Sequence, residues 1–189
     1  MTSTPSTPSS LTQIETARLH LLSLSAAAID ALLAGDAPRL GRITGARFPA
    51  PLRPPPLTED VLPLVRDRLR ADPSQDGWWT WLVVRKDSRQ AVGSAGFGGG
   101  PDGEGAVMIG YATYPDVEGN GFATEAARAL IAWALEQPGV ARVCASLPPD
   151  NHPAIRVAEK VGMRLMGTVW EEDLDEVLLY GIESVNSEQ

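Results

Sequence analysis

The stretch "YATYPDVEGNGFATEAARALIAWALE", Tyr111 to Glu136, constrains this chain more than any other. A strand-like run breaks at Pro115, passes through Gly119 and Gly121, and becomes an alanine-rich helix expected over roughly Ala123 to Gln137. A strand, a Gly-x-Gly turn and a helix start in that order leave backbone N–H groups of Gly119 to Thr124 without helical partners. The helix N-terminus adds about half a positive charge. Together they make an anion cradle, and glycine lets the backbone approach a ligand with no Cβ in the way. The turn lacks the third glycine of a dinucleotide fingerprint and the Gly-Lys-Ser/Thr ending of a P-loop, so a nucleotide-binding α/β protein is disfavoured.

The remaining sequence predicts one mixed α/β domain over residues 13–184, with tails at 1–12 and 185–189. "MTSTPSTPSS" is polar and rich in Ser, Thr and Pro, the composition of a disordered tail, and it has neither the basic start nor the apolar core of a secretory signal. "IETARLHLLSL" alternates as a strand. "SAAAIDALLAGD" reads as a helix ending near Gly35. "TEDVLPLVRDRLRAD" reads as a second helix, capped by Thr58, with Val61, Leu64, Val65 and Leu69 on one face. "WWTWLVVRK" and "AVGSAGFGG" form a hairpin, followed by the strand "AVMIGYATY". After the long helix come the strand "ARVCASL", a short helix stopped at Gly162, and the strands "RLMGTVWEE" and "DEVLLYGI". Helices fall on both faces of the sheet.

No apolar run approaches the roughly 18 to 20 residues of a membrane span. The one cysteine, Cys144, gives neither a disulfide nor a zinc cage, so the expected setting is reducing and cytoplasmic, with no metal. A net charge of -8 argues against nucleic acid as a partner and is compatible with a cationic substrate.

The segment from "IGYATYP" through "HPAIRVAEKVGM" resembles the core of the GNAT N-acetyltransferases. The closer likeness is to the ribosomal-protein N-terminal (RimJ/RimL-like) branch, and it extends back to "IETARLHL". The resemblance implies a mostly antiparallel sheet splayed between its fourth and fifth strands, "AVMIGYATY" and "ARVCASL". It implies acetyl-CoA as co-substrate, with the pyrophosphate at Gly119, Asn120, Gly121, Phe122, Ala123 and Thr124. It places the pantetheine arm along Tyr111, Ala112 and Thr113, on a strand that opens at a bulge. Asn151 matches an asparagine that contacts that arm, and it reads equally as the N-cap of the following helix.

The chain departs from the family where protons move. Ala158 stands at the position of a leaving-group tyrosine, Ala154 at that of a serine, and Ser146 where a glutamate base falls. The remaining base candidates lie in "WEEDLDE", with Glu172 preferred; His152 is a weaker candidate. Glu118 replaces a Gln, Arg or aromatic residue beside the phosphates and is repulsive unless it points away. Trp78 and its near neighbours on a Trp78–Trp79–Trp81 strand are candidates for an acceptor groove, and Tyr111 and Tyr114 either contact substrate or pack. The acceptor is expected to be a small amine or a protein N-terminal amine, and a homodimer is possible. The competing expectation is a non-catalytic GNAT fold that binds acyl-CoA or a partner protein.

Overall fold

A computed structural model describes residues 12–171 and 175–183. It contains five α-helices and one eight-stranded sheet in the order β1-β2-β3-β4-β5-β6-β8-β7. The strands are β1 (Gln13–Glu15), β2 (Leu19–Ser23), β3 (Thr80–Arg85), β4 (Ala91–Phe97), β5 (Ala106–Thr113), β6 (Arg142–Leu147), β7 (Arg164–Glu171) and β8 (Asp175–Glu183). Only β5 and β6 are parallel; every other neighbouring pair is antiparallel. This is the expected mixed, mostly antiparallel sheet.

The helices are α1 (Ala26–Leu33), α2 (Ala37–Thr44), α3 (Leu62–Ala71), α4 (Phe122–Leu135) and α5 (His152–Lys160). α1, α2 and α3 cover one face of the sheet over Leu22, Leu82 and Val84. α4 and α5 cover the other over Leu21, Trp81, Val107 and Val143. α4 is built for that position. Its buried residues Phe122, Ala126, Ala127, Leu130, Ile131 and Ala134 recur at helical spacing, and their small size lets the helix lie close to the strands.

Three local expectations change. "APRLGRIT" is the helix α2: Asp36 caps it by accepting from Arg39 N at 2.9 Å, Pro38 sits in its first turn, and Gly45 ends it at φ 63°. α3 begins at Leu62, because Pro63 has no N–H and fits only the first turn. Thr58 therefore does not cap it. Its hydroxyl donates to Pro55 O instead, and the buried face of α3 is Leu62, Val65 and Leu69, leaving Val61 and Leu64 exposed. Finally, "IETARLHLLSL" is two strands, parted by a turn at Thr16–Arg18.

The sheet parts where expected. β5 and β6 pair only at Ala106–Arg142, Val107–Val143 and Met108–Cys144, although β5 runs on to Thr113 and β6 to Leu147. Each strand stays with its own half-sheet, β5 on β4 and β6 on β8. The expected bulge in β5 is absent. Its register with β4 is unbroken from Ile109 to Thr113, and the parting is a loss of pairing with β6.

Candidate active site

The parting leaves backbone groups of β5 unpaired inside the molecule. Gly98 N donates to Met108 O, and Tyr114 N donates to Val92 O. Antiparallel pairing alternates, so the even-numbered residues of β5 spend their backbone groups on β4. Beyond the last bridge (Met108–Cys144), Tyr111 and Thr113 turn theirs toward the gap, where an extended amide chain can add as a strand.

Beside the gap, on the side of α4 and α5, lies a cleft of about 690 Å³. All ten residues expected to meet the cofactor line it: Tyr111, Ala112, Thr113, Gly119 to Thr124, and Asn151. The turn is as the glycines require, with Gly119 at φ 75° and Gly121 at φ 78°. Gly121 is the N-cap of α4, and no side chain caps the helix, so its first N–H groups remain free to bind an anion.

The turn is held from a distance. The carboxylate of Glu125, in the first turn of α4, accepts from Thr16 Oγ1 at 2.6 Å, Arg18 N at 2.8 Å and Arg18 Nε at 2.7 Å. Arg18 Nη1 also donates to Asn120 O at 3.0 Å, and its guanidinium lies 4.8 Å over the Phe122 ring. Burial pushes the Glu125 carboxyl up, but the Thr16 and Arg18 donors outweigh it and hold the group below its ordinary range. The "IETARLHL" opening thus clamps the anion cradle, a role that nothing local in the sequence reveals.

Two cations that sequence reasoning missed also line the cleft. Arg156 and Lys160 lie one helical turn apart on α5. The signal was available as an i, i+4 basic pair following Asn151. They share the cleft with Glu118, whose side chain is exposed. Asn151 caps α5 by accepting from Ala154 N at 3.3 Å, while lining the cleft as well.

Several expected side chains are placed otherwise. Tyr111 is buried and donates to Ala154 O at 2.9 Å, and burial pushes its phenol up to about 12. Tyr114 is buried and donates to Arg53 O at 3.1 Å. Tyr114 lines neither cavity and packs, whereas Tyr111 packs and also lines the cleft. Ala154 lines the cleft, but Ala158 is 0% exposed within the core and does not. His152 is exposed and lines neither the cleft nor the groove described next. Trp78 and Trp79 precede β3 rather than belonging to it; Trp78 packs on Phe97 and Trp133. Glu172 lies outside the described residues.

On the opposite face, beside α3, a groove of about 540 Å³ runs over β4, β5 and β6. Trp79 and Ser146 line it, so β6 does present Ser146 to this space. The two cavities line consecutive stretches of β5: Met108 to Gly110 line the groove and Tyr111 to Thr113 line the cleft.

A family model described as an acetyltransferase (GNAT) domain matches residues 18–164. The chain belongs to the GNAT acetyltransferase family. An uncharacterized N-acetyltransferase of Bacillus subtilis, YjdG, is 36% identical over 106 residues, covering 56% of this chain and 63% of that protein. A second from the same organism, YnaD, is 35% identical over 65 residues, which is 38% of its length. The chain thus matches less than two thirds of either relative. Among solved structures, a GNAT-family acetyltransferase from Bacillus anthracis superposes with a TM-score of 0.61 at 22% identity, covering 92% of this chain and 99% of that one. RimJ of Mycobacterium smegmatis, solved in complex with CoA-disulfide, superposes at 0.62 with 20% identity, covering 90% and 84%. These likenesses agree with the GNAT architecture of the sheet and its helices. Among the described residues no group of three or more His, Cys, Asp or Glu is placed to hold a metal ion, and no helix is long and apolar enough to cross a membrane.

Proposed function

We propose that this GNAT protein transfers the acetyl group of acetyl-CoA to a primary amine by direct attack on the thioester. The observation that supports the reading is that cleft and groove line consecutive stretches of β5, on opposite faces, where its pairing with β6 ends. The CoA phosphates bind the free N–H groups of the Gly119–Thr124 turn, with Arg156 and Lys160 alongside. The pantetheine arm adds to the unpaired edge of β5, which delivers the thioester to the mouth of the groove.

The amine lone pair forms a bond to the carbonyl carbon, the C–S bond breaks, and the thiolate leaves. The nitrogen gives up its proton to a base acting directly or through water, and the thiolate takes one from water. Positioning and polarisation of the carbonyl by backbone N–H groups supply most of the rate. No tyrosine or serine on α5 is available as an acid, and thiolate is a fair leaving group, since a free thiol has a pKa of about 8.5. Ser146, which lines the groove, and Glu172 are the proposed proton-handling residues.

Ala154 and Ala158 also favour a second reading, a non-catalytic GNAT fold that binds acyl-CoA. Thiol release from acetyl-CoA over an amine panel, with CoA affinity measured separately by calorimetry, separates the two. The expected outcome is release that rises with pH toward about 8 to 9 and then flattens, because the amine must lose its proton before it attacks. Binding without release would leave the second reading standing. A rate falling steadily above pH 7 in a folded enzyme would show that an essential acid is present.

A further inference from the structure

The groove beside α3 is unlike the cleft in one respect: among the described residues, none of its lining side chains is ionisable. The cleft carries Glu118, Arg156 and Lys160. The groove carries Leu57, Val61, Leu64 and Met108, exposed by 64%, 41%, 51% and 40%. Large apolar side chains gathered around one concavity mark a binding site rather than incidental surface.

The wall is also held in an unfavourable backbone conformation. Leu57 sits at φ 65°, in the left-handed region that a leucine rarely adopts. The residues around it are pinned: Tyr114 donates to Arg53 O, Thr58 Oγ1 to Pro55 O, and Ser94 Oγ to Pro56 O. Strain kept in place by three hydrogen bonds, with its side chain turned over the groove, marks a position retained for what it contacts.

We propose that this groove is the acceptor site and that it selects a small primary amine carried on an apolar, uncharged body. The proposal rests on the acetyl-transfer reading and names its substrate class. The groove lines β5 over Met108–Gly110, directly before the Tyr111–Thr113 stretch that lines the cleft and where pairing with β6 ends, so a body lodged in it has its amine directed toward the gap. A polycation finds no counter-charge among the described lining residues. A peptide brings several backbone amides that must be hydrogen-bonded when buried, whereas the hydroxyls of Thr58 and Ser94 already donate to proline carbonyls, leaving Thr80 and Ser146 as the remaining hydroxyls of the described lining. The same lining disfavours ammonium relative to free amine, so the groove itself favours the nucleophilic form. The described lining offers no counter-charge for the cationic substrate that the net charge of -8 is compatible with.

The test follows thiol release from acetyl-CoA with propylamine, butylamine, pentylamine, hexylamine, spermidine and a leucyl tripeptide. Alkylamines have nearly equal basicity, so differences among them report the groove. The specificity constant is expected to rise about fourfold per added methylene, with hexylamine ahead of spermidine and the tripeptide. Leu64→Glu, on the exposed side of α3, and separately Met108→Glu should reverse the order in favour of spermidine. A flat alkyl series, or preference for spermidine or the tripeptide, would overturn the proposal while leaving acetyl transfer in place. Binding is read without turnover from the emission of Trp79, which lines the groove. Hexylamine added to the CoA complex should change emission in the native protein and not in Trp79→Phe or Leu64→Glu. No thiol release with any amine, but a hexylamine-dependent change at Trp79, would overturn catalysis and uphold the groove. No change at Trp79 would overturn the groove.

Discussion

Ala158 shows how much one side chain's direction matters. The resemblance puts a tyrosine there as leaving-group acid, which makes Ala158→Tyr look like a repair. In the fold, Ala158 faces inward with no exposure, and its carbonyl accepts from Met163 N at 3.0 Å. A phenol at this position must push into a packed core, at about 1–3 kcal/mol. The expected outcome is a melting temperature lowered by roughly 2–10 °C for a chain of this size, with no gain in turnover. Unchanged stability with faster thiol release would mean that the ring finds its way into the cleft. Ala154, which does line the cleft, is the better place for an added hydroxyl.

Two helices line the proposed CoA cleft, and each contributes a different kind of charge. The N-terminus of α4 offers fixed N–H groups whose direction the glycine turn sets. α5 offers Arg156 and Lys160, exposed side chains without a described ion-pair partner, free to follow phosphate. Their contributions should separate by salt. Arg156→Ala and Lys160→Ala are each expected to weaken acetyl-CoA binding about two- to fivefold at low ionic strength, with the loss shrinking as salt rises. Calorimetry at two salt concentrations checks this, and equal affinities in wild type and both variants would take α5 out of the phosphate site. α3 teaches the complementary lesson. Its apolar residues exceed what one buried face holds, and the surplus Leu64, with Val61 at the N-cap, lines the groove.

Across the whole molecule, the chain's opening holds the cofactor turn through Thr16, Arg18 and Glu125, partners more than a hundred positions apart. Glu125 has its carboxyl held below the ordinary 4.5. A depressed carboxylate stabilises the fold fully above its unfolded pKa, and that contribution disappears as pH falls through the lowered folded value. Glu125→Gln should therefore reduce stability at neutral pH by about 1.5 kcal/mol, some 3–6 °C in melting temperature. The gap from wild type should narrow only below about pH 4.5. Melting curves from pH 7 to 3 check this; a constant gap throughout would show that charge on Glu125 is not what the clamp uses.

The strand, turn and helix of the cradle were legible because each is decided locally. Gly119 and Gly121 adopt positive φ that other residues avoid, and the alanine-rich run after them repeats at helical spacing. That ten residues expected together would line one cleft, and the point where the sheet parts, were legible through the order of motifs along the chain. α2 was missed although its cap, proline and glycine were all in view, because one buried leucine made a weak apolar pattern. Other features belonged to the folded chain alone: the inward turn of Ala158, Trp79 rather than Trp78 at the groove, the Thr16–Arg18 clamp, and a groove beside α3 whose described lining is uncharged. The physical reason is the same for all of them. Local sequence sets backbone conformation and periodicity, whereas the neighbours of a side chain come from strands and helices that meet only when the chain closes on itself.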